Sequence, residues 1–280
     1  MGLRWSVIIP VYEDDGSLRQ CLASLERQTL RRAHFEVIVV DNGSTTPPDV
    51  KGFDVRLIQE TKPGSYAARN AGIRAAKADR LAFTDADCLP APDWLASLDR
   101  ALEDAPRATG PVPLFIQGRA TAAAAYDCLF AFTQEANQAD GFGITANLGV
   151  KREVFEAVGP FPEVASIGDR EWGQRAQAAG HPIAWAEHAV VLHPARAGLR
   201  GLLRKMRRLE GGEADTREVG TMERIREGLH VPWAQIRARR REHGFGPITT
   251  AKGIGLLGAV KVVRLAERLR VSRSGRRERR

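Results

Sequence analysis

Residues 6–11, Ser-Val-Ile-Ile-Pro-Val, and 35–40, Phe-Glu-Val-Ile-Val-Val, are short and almost unbroken apolar runs rich in β-branched side chains. A strand that is apolar on both faces needs cover on both faces, which points to a parallel sheet layered between helices. Helical spacing separates the runs: Leu18, Cys21, Leu22 and Leu25 recur on one side of a helix. The alternation continues, with a short strand at 55–58, a helix over 65–76, a strand at 80–84 and a helix over 92–103 that carries Pro near its start. Strand and helix taking turns through the first hundred residues predict a Rossmann-like, doubly wound α/β fold. In such sheets ligands bind beyond the carboxyl ends of the strands, where Tyr12-Glu13, Asp41 and Asp85-Ala86-Asp87 fall. Neither G-x-G-x-x-G nor G-x-x-x-x-G-K-[ST] occurs, so phosphates there must be held by side chains and metal.

The second half is less regular. The pattern predicts a long Ala-rich helix over 120–139, an extended segment at 144–150, helices over 151–158 and 169–179, and two short strands at 183–185 and 190–192 leading to His193. From residue 196 the chain holds 23 Lys and Arg against 9 Asp and Glu, whereas residues 1–195 hold 19 against 25. The basic character belongs to the tail, and an acidic body is a poor platform for tracking nucleic acid, so no nucleic-acid partner is expected. The organisation read from this is a catalytic domain over 1–195, with a nucleotide half over about 1–110 and an acceptor half over about 111–195. A basic helical extension over 196–270 and a disordered tail over 271–280 follow. Leu199, Leu202, Leu203 and Met206 line one side of a helix and Arg200, Arg204, Lys205, Arg207 and Arg208 the others. Such a helix either lies on an anionic membrane surface or packs on its own domain. The apolar stretch over 254–269 is too short and too charged to span a bilayer.

Asp85 and Asp87 follow the apolar run Leu81-Ala82-Phe83. Side chains two apart on an extended backbone share a face, so both carboxylates are able to address one cation as the strand ends. Hard ions such as Mg²⁺ or Mn²⁺ prefer oxygen ligands and often share them with substrate phosphates. An isolated Asp-x-Asp is also an ordinary solvated turn. Three scattered cysteines, with no C-x-x-C pair, argue against a disulfide framework or thiolate zinc site. The start of the chain offers no signal-peptide core. A cytoplasmic enzyme is expected.

Taken in order, SVIIPVYE (6–13), VIVVDNGS (37–44), GSYAARNAGIRAA (64–76), LAFTDADCLP (81–90), ITANLGVKREVFEAVGPF (144–161) and GDREWGQRAQAAG (168–180) resemble the family-2 glycosyltransferases. The resemblance implies a GT-A fold and an inverting, divalent-metal-dependent transfer from a nucleoside-diphosphate sugar to a hydroxyl acceptor, such as a glycan or lipid-linked molecule of the cell envelope. It implies donor contacts at Pro10, Tyr12, Glu13, Asp41, Arg69, Asn70, Asp85 and Ala86, with Asp41 meeting the nucleobase. A guanidinium early in a helix, as at Arg69, also suits a phosphate. By the same resemblance Asp87 binds the metal directly, Asp85 assists, and His193 supplies a further ligand. Asp169 is the base that deprotonates the acceptor, beside acceptor contacts at Asn147, Glu171 and Trp172. Two positions depart from the family's habit: Asn42 stands where a second Asp is common, and Gly168 where a Glu usually precedes the catalytic Asp.

Each of these positions also has a plain structural reading. Asp41-Asn42-Gly43-Ser44 is favoured turn chemistry, Asp169 a preferred helix cap, Trp172 a core aromatic and His193 a satisfied histidine. Nucleotidyltransferases share the architecture but use a basic Gly-rich loop after the first strand, where this chain has the acidic Tyr12-Glu13-Asp14-Asp15. A degenerate domain that binds a membrane or anionic polymer through its tail is the non-enzymatic alternative, against which the intact Asp85, Asp87 and Asp169 weigh. The tail fits an enzyme working peripherally on the inner face of a plasma membrane.

Overall fold

The computed structural model describes residues 2–131, 133–164, 166–216 and 232–274. The chain folds into two compact units, Met1–Pro113 with Thr133–His193, and Leu114–Phe132 with Pro194–Arg280. The second unit therefore recruits residues 114–132, which the sequence pattern groups with the acceptor half.

The first unit is built on seven strands. β1 (Trp5–Val11), β2 (Phe35–Asp41), β3 (Arg56–Gln59) and β4 (Arg80–Phe83) alternate with helices α1 (Asp15–Leu25) and α2 (Ser65–Ala75). The two-residue β5 (Leu89–Pro90), α3 (Trp94–Asp104) and β6 (Arg107–Thr109) come next. In the sheet the order is β3, β2, β1, β4, then a later strand, Leu148–Lys151, then β6 and Ile183–Trp185. β1 runs parallel to β2 and β4, and β2 to β3, as the apolar runs predict. Leu148–Lys151 is antiparallel to both its neighbours. The architecture is mixed α/β with a mostly parallel sheet.

Period-two alternation sorts the strand residues onto two cores. Trp5, Val7 and Ile9 of β1, Val37 and Val39 of β2 and Ala82 of β4 pack with Leu18, Leu22, Leu95 and Leu98 of α1 and α3. Ile8, Ile38, Val40, Leu81 and Phe83 point the other way, onto Tyr66, Ala68 and Ala71 of α2 and onto Phe155, Phe161 and Trp172. Gly72 lets α2 lie close to the sheet: a Cβ there would sit 2.4 Å from Ile8 Cγ2.

The remaining elements are β7 (Leu114–Phe115), α4 (Ala122–Phe130), α5 (Gln134–Ala139), β8 (Leu148–Lys151), α6 (Arg152–Val158), α7 (Gly168–Ala178), β9 (Ile183–Trp185), β10 (Val191–Pro194), α8 (Leu199–Thr216), α9 (Trp233–Glu242) and α10 (Pro247–Ser274). The single helix predicted over 120–139 is two. α4 stops at Ala131, whose backbone is extended (φ −92°, ψ 162°), and α5 is a separate helix that belongs to the first unit. In the predicted extended segment at 144–150 only the last residues, in β8, are strand.

In the second unit, α4, α8 and α10 share an apolar cluster of Ala123, Tyr126, Leu202, Met206 and Val260. The apolar side of α8 is thus covered by helices of its own unit. Asp127 is fully buried between Lys205 (3.0 Å) and Arg196 (3.2 Å). Helix α10 runs to Ser274, into the stretch expected to be disordered; residues 275–280 lie outside the described residues. Among the described residues no helix is long and apolar enough to cross a membrane.

Candidate active site

The carboxyl ends of β1 and β2 lie side by side because the parallel register pairs Val11 with Asp41. Glu13, one residue past the exposed Tyr12, takes a left-handed backbone (φ 51°) and is tied to the loop after β2. Its N–H donates to Ser44 Oγ (3.0 Å), and its carboxylate accepts from the Thr45 hydroxyl and N–H (2.7 Å each). Those two bonds, the hydroxyl's first, hold the Glu13 carboxyl below its ordinary value. Asp41 is buried and accepts the Ser44 N–H at 3.0 Å, so its turn role is real. Asn42 clamps the approach to α2: its amide donates to the carbonyls of Glu60 (3.0 Å) and Lys62 (2.8 Å) and accepts the Gly64 N–H (2.7 Å). A carboxylate at this position has no N–H to give, so the departure from the family's habit has a mechanical reason.

Helix α2 carries Tyr66 and Arg69 on one face, three residues apart. Arg69 is buried and pairs with Asp85, and its Cζ lies 5.5 Å from the centre of the Tyr66 ring. Among the described residues its Nε has no hydrogen-bond partner. Asn70 turns away from Asp85 and fastens Phe161, donating to its carbonyl (2.9 Å) and accepting its N–H (3.0 Å).

Beyond β4 the chain turns, with the Cys88 N–H on the Asp85 carbonyl (3.1 Å), and enters β5. Antiparallel pairing of β5 with β10 sets Pro90 against Val191 and Leu89 against Leu192. Continued by one residue, that register brings His193 alongside Cys88. One ligand atom from each of Asp85, Asp87, Cys88 and His193 falls within 4.8 Å of the others, and His193 Nε2 is 3.8 Å from Asp87 Oδ1. Two carboxylates and an imidazole are a donor set suited to Mn²⁺ or Mg²⁺. Burial, with Asp85 and Asp87 nearby, pushes the Cys88 thiol well up.

Asp169 is the second residue of α7 and does not cap it; the residue before the helix is Ile167, in a left-handed conformation (φ 58°). Its carboxylate accepts the N–H groups of Arg170 (2.9 Å) and Thr145 (3.3 Å). Burial nevertheless pushes its carboxyl up, outweighing those bonds and the nearby Arg69. Glu171 is partly exposed beside Arg175 (4.0 Å). Trp172 is fully buried, its ring stacked on Phe155 at 4.4 Å and its N–H on the Gly159 carbonyl, so it offers no face to a sugar. Asn147 is buried as well. It accepts the Trp94 indole N–H (2.9 Å) and donates to the carbonyls of Ala189 (2.7 Å) and Pro111 (3.1 Å), which leaves its amide committed to the framework. Pro10 is the penultimate residue of β1, opposite Val40, and Ala86 is buried between the two acids. Tyr66, absent from the sequence-predicted site, was signalled by its place three residues before Arg69.

The model of the family described as Glycosyl transferase family 2 matches residues 6–159, more than half of the chain. The chain belongs to this family. Glycosyltransferase AglE of Haloferax volcanii is 36% identical to this glycosyltransferase over 223 residues, which cover 74% of this chain and 72% of AglE. Validoxylamine A glucosyltransferase of Streptomyces hygroscopicus subsp. limoneus is 41% identical over 101 residues, but these are 33% of this chain and 22% of that enzyme. Among solved structures, mannosyltransferase PcManGT from Pyrobaculum calidifontis, in complex with GDP-Man and Mn²⁺, aligns with a TM-score of 0.65 at 20% identity over 99% of this chain and 89% of its own. TarS 1–349 from S. aureus, in complex with UDP-GlcNAc, aligns at 0.54 with 16% identity over 97% of this chain and 91% of its own. The fold shared with them is GT-A.

Proposed function

We propose that this glycosyltransferase moves a sugar from a nucleoside-diphosphate donor to a hydroxyl acceptor in one inverting displacement, assisted by a divalent ion held by Asp87, Asp85 and His193. The observation that carries the reading is the convergence of those three side chains within 4.8 Å, next to the Arg69–Asp85 pair. When bound, the ion supplies Lewis-acid neutralisation of the diphosphate as it departs.

The chain's own residues do the rest. Asp41 and Glu13 at the strand tips, with the exposed Tyr12 between them, receive the nucleoside, and Pro10 and Ala86 line the way to it. Arg69, with one nitrogen unpaired, turns its guanidinium to a phosphate oxygen. Asp169 takes the proton from the acceptor hydroxyl; its raised carboxyl makes it a stronger base than a solvated aspartate. Glu171 is the remaining candidate for the acceptor side.

The partner read from the second unit is an anionic membrane surface, which suits a lipid-linked acceptor reached from the cytoplasmic side. Trp233, Ile248, Val262 and Leu265 are 53–74% exposed. Among the charged side chains described on α8, α9 and α10, nine cations but one carboxylate, Glu242, are exposed.

The deciding experiment is a thermal-shift screen of UDP-, GDP- and dTDP-sugars with and without Mn²⁺, followed by hydrolysis assays on whichever donor binds. Metal-dependent stabilisation by one donor, lost in Asp87→Ala, is the expected result. A donor that binds equally well without the ion, or an Asp87→Ala variant that behaves as wild type, refutes the metal reading.

A further inference from the structure

Cys88 is the one member of the ligand cluster to which the proposed function gives no task. It is buried, yet its thiol is directed at the cluster: Sγ stands 3.8 Å from Asp87 Oδ1. His193 Nε2, brought across by the pairing of β5 with β10, stands 3.8 Å from the same oxygen. One carboxylate oxygen therefore faces a sulfur and an imidazole nitrogen at equal distance, and an atom of Asp85 lies within 4.8 Å of all three. Around a four-coordinate Zn²⁺, ligands held about 2.0–2.3 Å from the ion stand about 3.3–3.6 Å from one another. The two spacings at Asp87 are only a little wider than the edges of that tetrahedron.

Hard and soft ions use such a donor set differently. Mg²⁺ and Mn²⁺ take oxygen, leave positions for water and phosphate, and have little affinity for sulfur. Zn²⁺ accepts thiolate, imidazole and carboxylate together, and four protein ligands close its coordination. We propose that Cys88 makes this turn an inhibitory Zn²⁺ site, in which Asp85, Asp87, Cys88 and His193 enclose the ion. The thiol proton passes to solvent as the sulfur–metal bond forms. An ion so enclosed has no position left for a diphosphate oxygen, so Zn²⁺ competes with Mn²⁺ and does not replace it in turnover. The inference rests on the reading of Asp87, Asp85 and His193 as ion ligands. A mixed site with a single sulfur is one that cysteine spacing does not reveal.

Cd²⁺ reports sulfur ligation directly, through a sulfur-to-metal charge-transfer absorption that carboxylate and imidazole do not give. The full chain titrated with Cd²⁺ is expected to develop this band and to lose it in Cys88→Ser, which puts a hard oxygen in place of the sulfur. The band should persist in Cys21→Ala/Cys128→Ala, which leaves Cys88 as the only cysteine of the chain. Zn²⁺ should also release bound Mn²⁺, read from the paramagnetic resonance of the freed ion, and Cys88→Ser should raise the Zn²⁺ required by about tenfold or more. Should Cys88→Ser not fold, the double variant carries the test, and a band missing there overturns the inference. A band that survives in Cys88→Ser, or Zn²⁺ that releases Mn²⁺ equally well from that variant, overturns it too. Either result, with Mn²⁺ binding lost in Asp87→Ala, leaves the ion-site reading standing. Wild-type Mn²⁺ affinity in Asp87→Ala overturns that reading and this inference with it.

Discussion

Replacing Asn147 with Ala separates two roles for a residue that resemblance assigns to the acceptor and geometry to the framework. Truncation removes three hydrogen bonds, but the losses differ. The Pro111 carbonyl keeps the Val191 N–H at 3.1 Å. The Trp94 indole N–H and the Ala189 carbonyl lose their partner in a fully buried setting. An orphaned buried polar group costs about 1–3 kcal/mol, so two of them, with the small void left behind, come to about 3–5 kcal/mol. That is a large share of the ~5–15 kcal/mol that holds a typical domain folded. Four of the five tryptophans, Trp5, Trp94, Trp172 and Trp185, lie in the first unit, so urea unfolding followed by tryptophan fluorescence reports on the right part of the molecule. With a slope of about 2 kcal/mol per M, the midpoint should fall by about 1.5–2.5 M. A drop of less than about 0.5 M, accompanied by a raised KM for the acceptor, would refute this reasoning and return Asn147 to the acceptor site.

The second unit should show its own acid sensitivity. Burial raises the Asp127 carboxyl, but Lys205 and Arg196 outweigh burial and hold it below its ordinary value. Its contribution is therefore complete above the ordinary carboxylate range and lost as pH falls through the lowered value. Asp127→Asn should destabilise the helices of this unit by about 3 kcal/mol at neutral pH and flatten the acid limb of helix loss followed by circular dichroism; an unaltered pH profile contradicts the pairing. On the same unit, co-sedimentation with vesicles containing phosphatidylserine is expected to exceed that with neutral vesicles, to weaken as salt rises, and to fall when Val262 and Leu265 become Ser. Equal recovery with both lipids removes the membrane reading.

What was legible in the sequence was what is encoded locally. β1, β2 and β4 declare themselves because both faces are covered and nearly every residue must be apolar. The turn residues that follow them mark where the chain leaves the sheet, with Val11 and Asp41 paired at that edge. The break between α4 and α5 was not legible, because neither Gly nor Pro interrupts residues 120–139. Nor could spacing bring His193 to Asp87, since that meeting depends on a two-residue strand pairing across a hundred positions. Asn147 and Trp172 were misplaced for a related reason. Sequence names the functional group, but only the fold shows whether its polar atoms and ring faces are already engaged.

The second unit is drawn from two stretches of chain separated by the last third of the first unit. During synthesis α4 leaves the ribosome with Ala123, Tyr126 and Phe130 uncovered, and Asp127 without Arg196 or Lys205, until some seventy or more further residues arrive. A truncation after residue 195 would leave that helix orphaned for good. The unit that bears the cations is therefore the last to close, and it closes on a helix that has been waiting for it.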